Sequence, residues 1–190
     1  MKRAIFLFTI VFAFAVMASA QGVSVGGTVE NFSLTDTNGK AQSLNEMKGA
    51  KGAVLIFVSS QCPVVRGYNE RMNQIASDYK AKGVTVIGIN SNATETLEAI
   101  KAHAEENYKF PVLIDKGNVI ADKLGANVTP EAFYLDANNV LLYHGAIDND
   151  KSGRNITVQY LRTAFDSVLA GKKVERTSAN AIGCGIKRVN

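Results

Sequence analysis

Cysteine is scarce in this chain, and the spacing that would make two of them a self-contained redox pair is missing. Cys62 and Cys184 are the only two cysteines in 190 residues. Ser59 stands three positions before Cys62, where a second cysteine would complete Cys-X-X-Cys, so dithiol exchange within one motif is excluded. Histidine is equally scarce: His103 and His144 are the only two. Neither is placed by sequence to act as a base for Cys62, which leaves a cysteine-hydrolase reading with little support. Cysteine and histidine do not cluster at metal-ligand spacing, so no metal site is expected. An excess of one charge is also missing. Taking Lys2 and Arg3 from the 21 basic residues leaves 19 against 17 acidic ones, a net charge of +2. Lys172, Lys173, Arg176, Lys187 and Arg188 make the tail basic, but they read as a solvated stretch, and nucleic acid is not an expected partner. After residue 20 no apolar run is long enough to cross a membrane.

What is present begins with a leader. Lys2 and Arg3 form a basic segment, Ile5 to Met17 an apolar one, and Ala18-Ser19-Ala20 a small-residue cleavage site. Residues 1–20 read as a signal peptide cut after Ala20, which makes the mature protein secreted or periplasmic. An uncleaved membrane anchor is the alternative. Residues 21–171 read as one domain and 172–190 as a C-terminal tail carrying Cys184. With 46% hydrophobic and 20% charged residues, the chain can bury a sizeable core.

Residues 22–50 read as an irregular arm with a hairpin around Thr37-Asn38-Gly39-Lys40 and one helical turn at Ser43–Met47. Ala53–Val58 is a continuous apolar run, as in a strand buried on both faces. After Cys62, Val65, Tyr68, Met72, Ile75 and Tyr79 mark one helical face, ended by Gly83. Val84–Asn90 is a second strand. Thr94 is placed to cap a helix carrying Leu97, Ile100 and Ala104. Phe110–Asp115 is a short strand, and Val119 to Leu124 a short helix closed by Gly125. Ala132–Asp136 and Val140–Ala146 flank a three-residue turn as an antiparallel hairpin. Ile156 to Ala170 reads as the last helix. This alternation predicts an α/β fold: a central mixed sheet flanked by helices, with an N-terminal hairpin extension.

Cys62 sits where a strand hands over to a helix. A thiolate is the reactive form of cysteine, and a helix start offers it unpaired N–H groups and the positive end of a dipole. Pro63 falls at an early helical position, where its missing N–H costs nothing. Arg66, one turn on, can lean back toward the sulfur, or pair with Glu70 on the surface. Ser59 can donate to the thiolate or to a bound peroxide oxygen, or serve only as a strand-end cap. Two cysteines in an exported chain also permit a disulfide. Such a bond would close a loop of 184 − 62 = 122 positions, which the chain-entropy argument values at up to about 5 kcal/mol.

The element order, the cysteine at the first strand–helix junction and the Thr129-Pro130 that opens the hairpin resemble the thioredoxin-like superfamily. The resemblance is closest to its redoxin branch, the alkyl hydroperoxide reductase/thiol-specific antioxidant, peroxiredoxin-like group. It is carried by Cys62-Pro63-Val64-Val65-Arg66 and by Ile182-Gly183-Cys184-Gly185, and it spans residues 26–187. The chain departs from the group at Leu55 and in Val29-Glu30-Asn31-Phe32, where prolines are usual. The resemblance implies a cis Pro130 that exposes the Thr129 backbone to an extended substrate segment. It implies Cys62 as the attacking thiolate and Cys184, on a mobile tail between two glycines, as its resolving partner. A permanent disulfide and an intermolecular bond in a homodimer remain the alternatives for Cys184. The implied activity is reduction of peroxides or thiol–disulfide exchange, with no bound cofactor and with an external thiol reductant such as a thioredoxin-like protein. The competing class is a non-enzymatic thioredoxin-fold binding protein with a structural Cys62–Cys184 bond.

Overall fold

The computed structural model describes residues 22–189, so the leader read over residues 1–20 lies outside them. The arm folds as β1 (Ser33–Asp36), β2 (Ala41–Ser43) and the single turn α1 (Leu44–Met47). Then come β3 (Ala53–Val58), α2 (Pro63–Lys80), β4 (Thr85–Asn90), α3 (Leu97–Asn107), β5 (Val112–Ile114) and α4 (Val119–Leu124). Two residues of β6 (Val128–Thr129) precede the hairpin β7 (Glu131–Leu135) and β8 (Leu141–Gly145). After α5 (Tyr160–Leu169) the tail adds β9 (Ser178–Ala179) and β10 (Cys184–Gly185).

Eight strands form one mixed sheet in the order β2-β1-β5-β4-β3-β7-β8-β9, and β10 pairs with β6 alone. β3, β4 and β5 run parallel, and β7 joins β3 antiparallel. The centre is β3, every residue of which is at most 1% exposed. A strand buried on both faces needs apolar side chains at every position rather than at alternate ones, and Ala-Val-Leu-Ile-Phe-Val supplies them. Its alternate residues feed two cores. Val54, Ile56 and Val58 pack with Val65, Met72 and Ile75 of α2 and with Leu161 and Phe165 of α5. Ala53, Leu55 and Phe57 pack with Ile120, Ala121 and Leu124 of α4 on the other face. Truncating Ile56 to alanine in the core beneath α2 removes a fully buried side chain, a change that typically costs about 2–5 kcal/mol.

α2 is held along its length. Its apolar stripe of Val65, Tyr68, Met72, Ile75 and Tyr79 is buried. The Tyr68 hydroxyl donates to Asp148 at 3.2 Å, and Asp148 pairs with Arg71 at 2.5 Å. Burial, with the Asp148 carboxylate beside it, pushes the Tyr68 hydroxyl up to about 12. The helix that begins at Cys62 is thereby fixed against the loop following β8.

Two helix starts differ from the sequence reading. α3 is capped by Thr96, whose Oγ1 accepts from Ala99 N at 3.3 Å, and not by Thr94. The residues around Thr94 are a turn closed by Glu95 N on Asn92 O at 3.3 Å, and the Glu95 side chain bonds to Ser59, Ser60 and Asn90. α5 begins at Tyr160, four residues after Ile156. Asn149 Oδ1 accepts from Thr157 N at 3.0 Å and Val158 N at 2.9 Å, and Asn149 N donates to Val158 O at 3.1 Å, so this stretch is paired with the loop after β8 and the helix starts beyond it. The tail also differs from the mobile segment expected. β9 adds to β8 in parallel, with His144 opposite Ser178, and β10 lies antiparallel on β6.

Candidate active site

The site lies where the carboxyl end of β3 enters α2. Cys62 is the N-cap of α2 with extended backbone, and Pro63 is the first helical residue. Cys62 is 1% exposed. It is bonded to Cys184, with Cα atoms 5.9 Å apart and 122 positions of chain between them. The Thr129–Pro130 peptide is cis, and Thr129 O lies 3.2 Å from Cys62 Sγ. In the disulfide that sulfur carries no proton, so this is a sulfur–oxygen contact. Once the bond opens, Thr129 O can accept a hydrogen bond from the Cys62 thiol.

Cys184 reaches the site along the Thr129 backbone. Cys184 stands opposite Thr129 in the antiparallel register and Gly185 opposite Val128. The Thr129 hydroxyl donates to Cys184 O at 3.4 Å, and Ile186 N donates to Asn127 O at 2.9 Å. The glycine before Cys184 is required by contact rather than by flexibility: a Cβ at Gly183 would land on Thr129 O. Gly185 has open space where its Cβ would be. A cleft of about 360 Å³, bordered by Tyr68, Pro130, Tyr160, Arg176 and Ile182, opens beside this crossing.

Ser59 and Arg66 are turned to other partners. The Ser59 hydroxyl donates to Glu95 and accepts from Gln61 N at 3.2 Å. Arg66 is exposed and donates to Ser60 O at 3.3 Å. In this disulfide form both therefore shape the 59–61 turn that precedes Cys62. The residue that organises the turn is Glu95, which the sequence reading did not single out. Its carboxylate also accepts from Ser60 N at 2.9 Å, Ser60 Oγ at 2.5 Å and Asn90 Nδ2 at 3.0 Å. Burial pushes the Glu95 carboxyl up, but the hydrogen bonds from Ser59, Ser60 and Asn90 outweigh it and hold the group below the usual range. A signal for Glu95 exists in the topology. β3 and β4 are parallel neighbours, so the loops leaving their carboxyl ends, which carry Ser59 and Glu95, meet at one edge.

Neither histidine joins the site. His103 Nδ1 lies 3.3 Å from Asn107 Nδ2, and His144 stacks on Phe133. Among the described residues no three His, Cys, Asp or Glu side chains are grouped to hold a metal.

A cysteine at a helix start, a cis proline across from it and a strand-borne second cysteine point to thiol redox chemistry, and comparison with known proteins decides the family. The AhpC/TSA family matches residues 25–144. The chain belongs to the AhpC/TSA family. It is a redoxin with a thioredoxin-like fold and a thiol-dependent oxidoreductase. It is 33% identical over 120 residues to the thiol-disulfide oxidoreductase ResA of Bacillus thuringiensis (strain Al Hakam), covering 63% of this chain and 68% of that protein. Its fold is similar to that of the hypothetical protein SMc02350 from Sinorhizobium meliloti 1021, with TM-score 0.80, 35% identity, and coverage of 89% of this chain and 97% of that one. A Chlorobium tepidum protein assigned as a thiol:disulfide interchange protein DsbE matches with TM-score 0.57 and 27% identity, over 65% of this redoxin and 85% of that chain.

Proposed function

We propose that this redoxin is an exported thiol–disulfide oxidoreductase in which Cys62 and Cys184 cycle between dithiol and disulfide. The observation that carries the reading is the Cys62–Cys184 bond at the start of α2, laid across Thr129 and the cis Pro130. In the dithiol form the Cys62 thiolate attacks one sulfur of a substrate disulfide and expels the other as a thiolate. Cys184 then loses its proton and attacks Cys62 Sγ. The second substrate sulfur leaves as a thiolate, the intramolecular bond forms, and two electrons and two protons have passed to the substrate. An external dithiol restores the pair. It attacks at Cys184, which is partly exposed, and expels Cys62, which is buried and whose thiolate the helix start favours. Thr129 and Pro130 form the face against which the reacting segment lies. Ser59 and Arg66 act on Cys62 through the 59–61 turn. Export is supported by the leader pattern and by a bond of a kind that persists in oxidising compartments.

Peroxide reduction is the second reading. Burial of Cys62 favours it, because a small oxidant needs less room than a protein disulfide. The engagement of the Ser59 hydroxyl by Glu95 weighs against it, since that hydroxyl is then unavailable to a peroxide oxygen. Turnover of a peptide disulfide under a dithiol reductant, measured for the mature chain and for Cys62→Ser, tests the first reading. Catalysis that disappears with Cys62→Ser is expected, and no catalysis above the uncatalysed dithiol rate would overturn it. Stopped-flow consumption of hydrogen peroxide by the reduced chain tests the second, and a rate no faster than that of a free thiol removes it.

A further inference from the structure

The tail beyond Cys184 is tied down by groups that owe nothing to the disulfide. Lys187 N donates to Asn92 Oδ1 at 2.8 Å, and Ala93 N donates back to Lys187 O at 2.9 Å. Val189 N donates to Asn118 Oδ1 at 2.8 Å. Arg188 donates to Ala126 O at 2.6 Å and pairs with Asp122 at 2.8 Å. Ile186 is 8% exposed and packs in the same core as α4. Asn118 is itself 1% exposed, has φ 60, and donates to Ser91 O and, at 2.9 Å, to Ser91 Oγ. Every residue from Ile186 to Val189 is thus held by the loop after β4 or by the surroundings of α4. On the other side of Cys184, β9 is held on β8.

We propose that Asn92, Asn118 and Arg188 are positioning residues for the redox step. They keep the tail docked after the Cys62–Cys184 bond opens and so keep Cys184 within reach of Cys62. The inference rests on the reading of the two cysteines as a cycling pair. Two residues of extended chain span at most about 7 Å, so an Ile186 that stays in place confines Cys184 to its neighbourhood. A confined thiol meets Cys62 at a higher effective concentration than one on a free tail. Closing the bond then needs only a local approach of two sulfurs. In that closure both thiols lose their protons, two electrons pass to the oxidant, and the S–S bond forms.

Amide hydrogen exchange of Ile186, Lys187 and Val189 in the full chain, before and after reduction of the disulfide, is the direct test. Protection that survives reduction is expected. Exchange at the rate of an unstructured peptide once the bond is open would overturn the proposal. The second measurement is the equilibrium between the cysteine pair and glutathione in Asn92→Ala, Arg188→Ala and their combination, at half-buried positions outside both core clusters. While the tail stays docked in both forms the loss of one bond costs both alike, so each single variant should move the equilibrium little; the double variant, whose reduced tail is released, should shift severalfold toward the dithiol. Asn118→Gly, which suits the left-handed backbone there, should act in the same direction. An unchanged equilibrium in the double variant would overturn the proposal. A shifted equilibrium with no turnover of disulfide substrates would instead remove the proposed function and leave the clamp standing.

Discussion

Two glycines that flank Cys184 allow the same substitution to be made twice with opposite expectations. A Cβ at Gly183 would land on Thr129 O, a backbone atom of the strand that pairs with β10, which cannot yield cheaply. Gly183→Ala must therefore push β10 away from β6. At Gly185 nothing lies within 4 Å of the new methyl group. Neither glycine has a positive φ, so backbone strain does not enter. Displacing β10 from Thr129 sacrifices on the order of two hydrogen bonds, each worth about 1 kcal/mol net. Two kcal/mol lost from the disulfide form and not from the dithiol form is about a thirtyfold change in the equilibrium. Both variants gain the same few tenths of a kcal/mol from a less flexible unfolded chain, and that gain cancels between them. The assay is titration of the cysteine pair in glutathione buffers, with free thiols counted after quenching. Gly183→Ala should hold its disulfide about thirtyfold less tightly, and Gly185→Ala should remain within about threefold of the parent. Equal behaviour of the two variants would refute the claim that contact with Thr129 O, rather than glycine flexibility, sets the residue before Cys184.

Three further outcomes follow from the site. In Cys184→Ser, a peptide disulfide should become trapped on Cys62 as a mixed disulfide visible by mass spectrometry, whereas Cys62→Ser should trap none. Glu95 has a folded-state pKa below its ordinary 4.5, so the stability it contributes is complete above that value and is lost as pH falls through the lower one. Acid unfolding of Glu95→Gln followed by circular dichroism should accordingly lack a component that the parent loses below about pH 4.5. Opening the disulfide without denaturant should lower the urea midpoint, with up to about 5 kcal/mol at stake for a bond closing 122 positions. Identical midpoints for the oxidised and reduced chains would show that the bond does not constrain the unfolded state.

The parts of the fold that rest on local pattern were readable from the residues. β3 announced itself as an unbroken apolar run, and α2 as a stripe from Val65 to Tyr79 behind a Cys-Pro start. The misplaced helix starts both come from contacts that leave no local pattern. At Thr157 and Val158 a residue from elsewhere, Asn149, binds the backbone through its side chain and its own amide and holds it off the helix. Near Thr94 the backbone turns early, so that Glu95 can face Ser59 across 36 positions of chain. Such captures leave no periodicity. The tail failed for a related reason. Glycines on both sides of a cysteine read equally well as freedom or as close approach, and only the position of Thr129 O decides between them. The role of Glu95 needed the parallel adjacency of β3 and β4, which is a fact of topology. The pairing of Cys62 with Cys184, held open among three readings in the sequence, is intramolecular in the structure.

The separation of the two cysteines also sets an order of events in synthesis. Cys62 and the helix it begins are made 122 positions before Cys184. At about 5–20 residues per second, the nascent chain carries a lone Cys62 for roughly 6–25 s before its partner exists. During that interval α2 can form on β3, but the strand that covers the sulfur has yet to be made. A young molecule therefore presents an uncovered thiol to whatever oxidants it meets. It acquires its guarded form only when the stretch from Cys184 to Val189 has settled against β6 and α4.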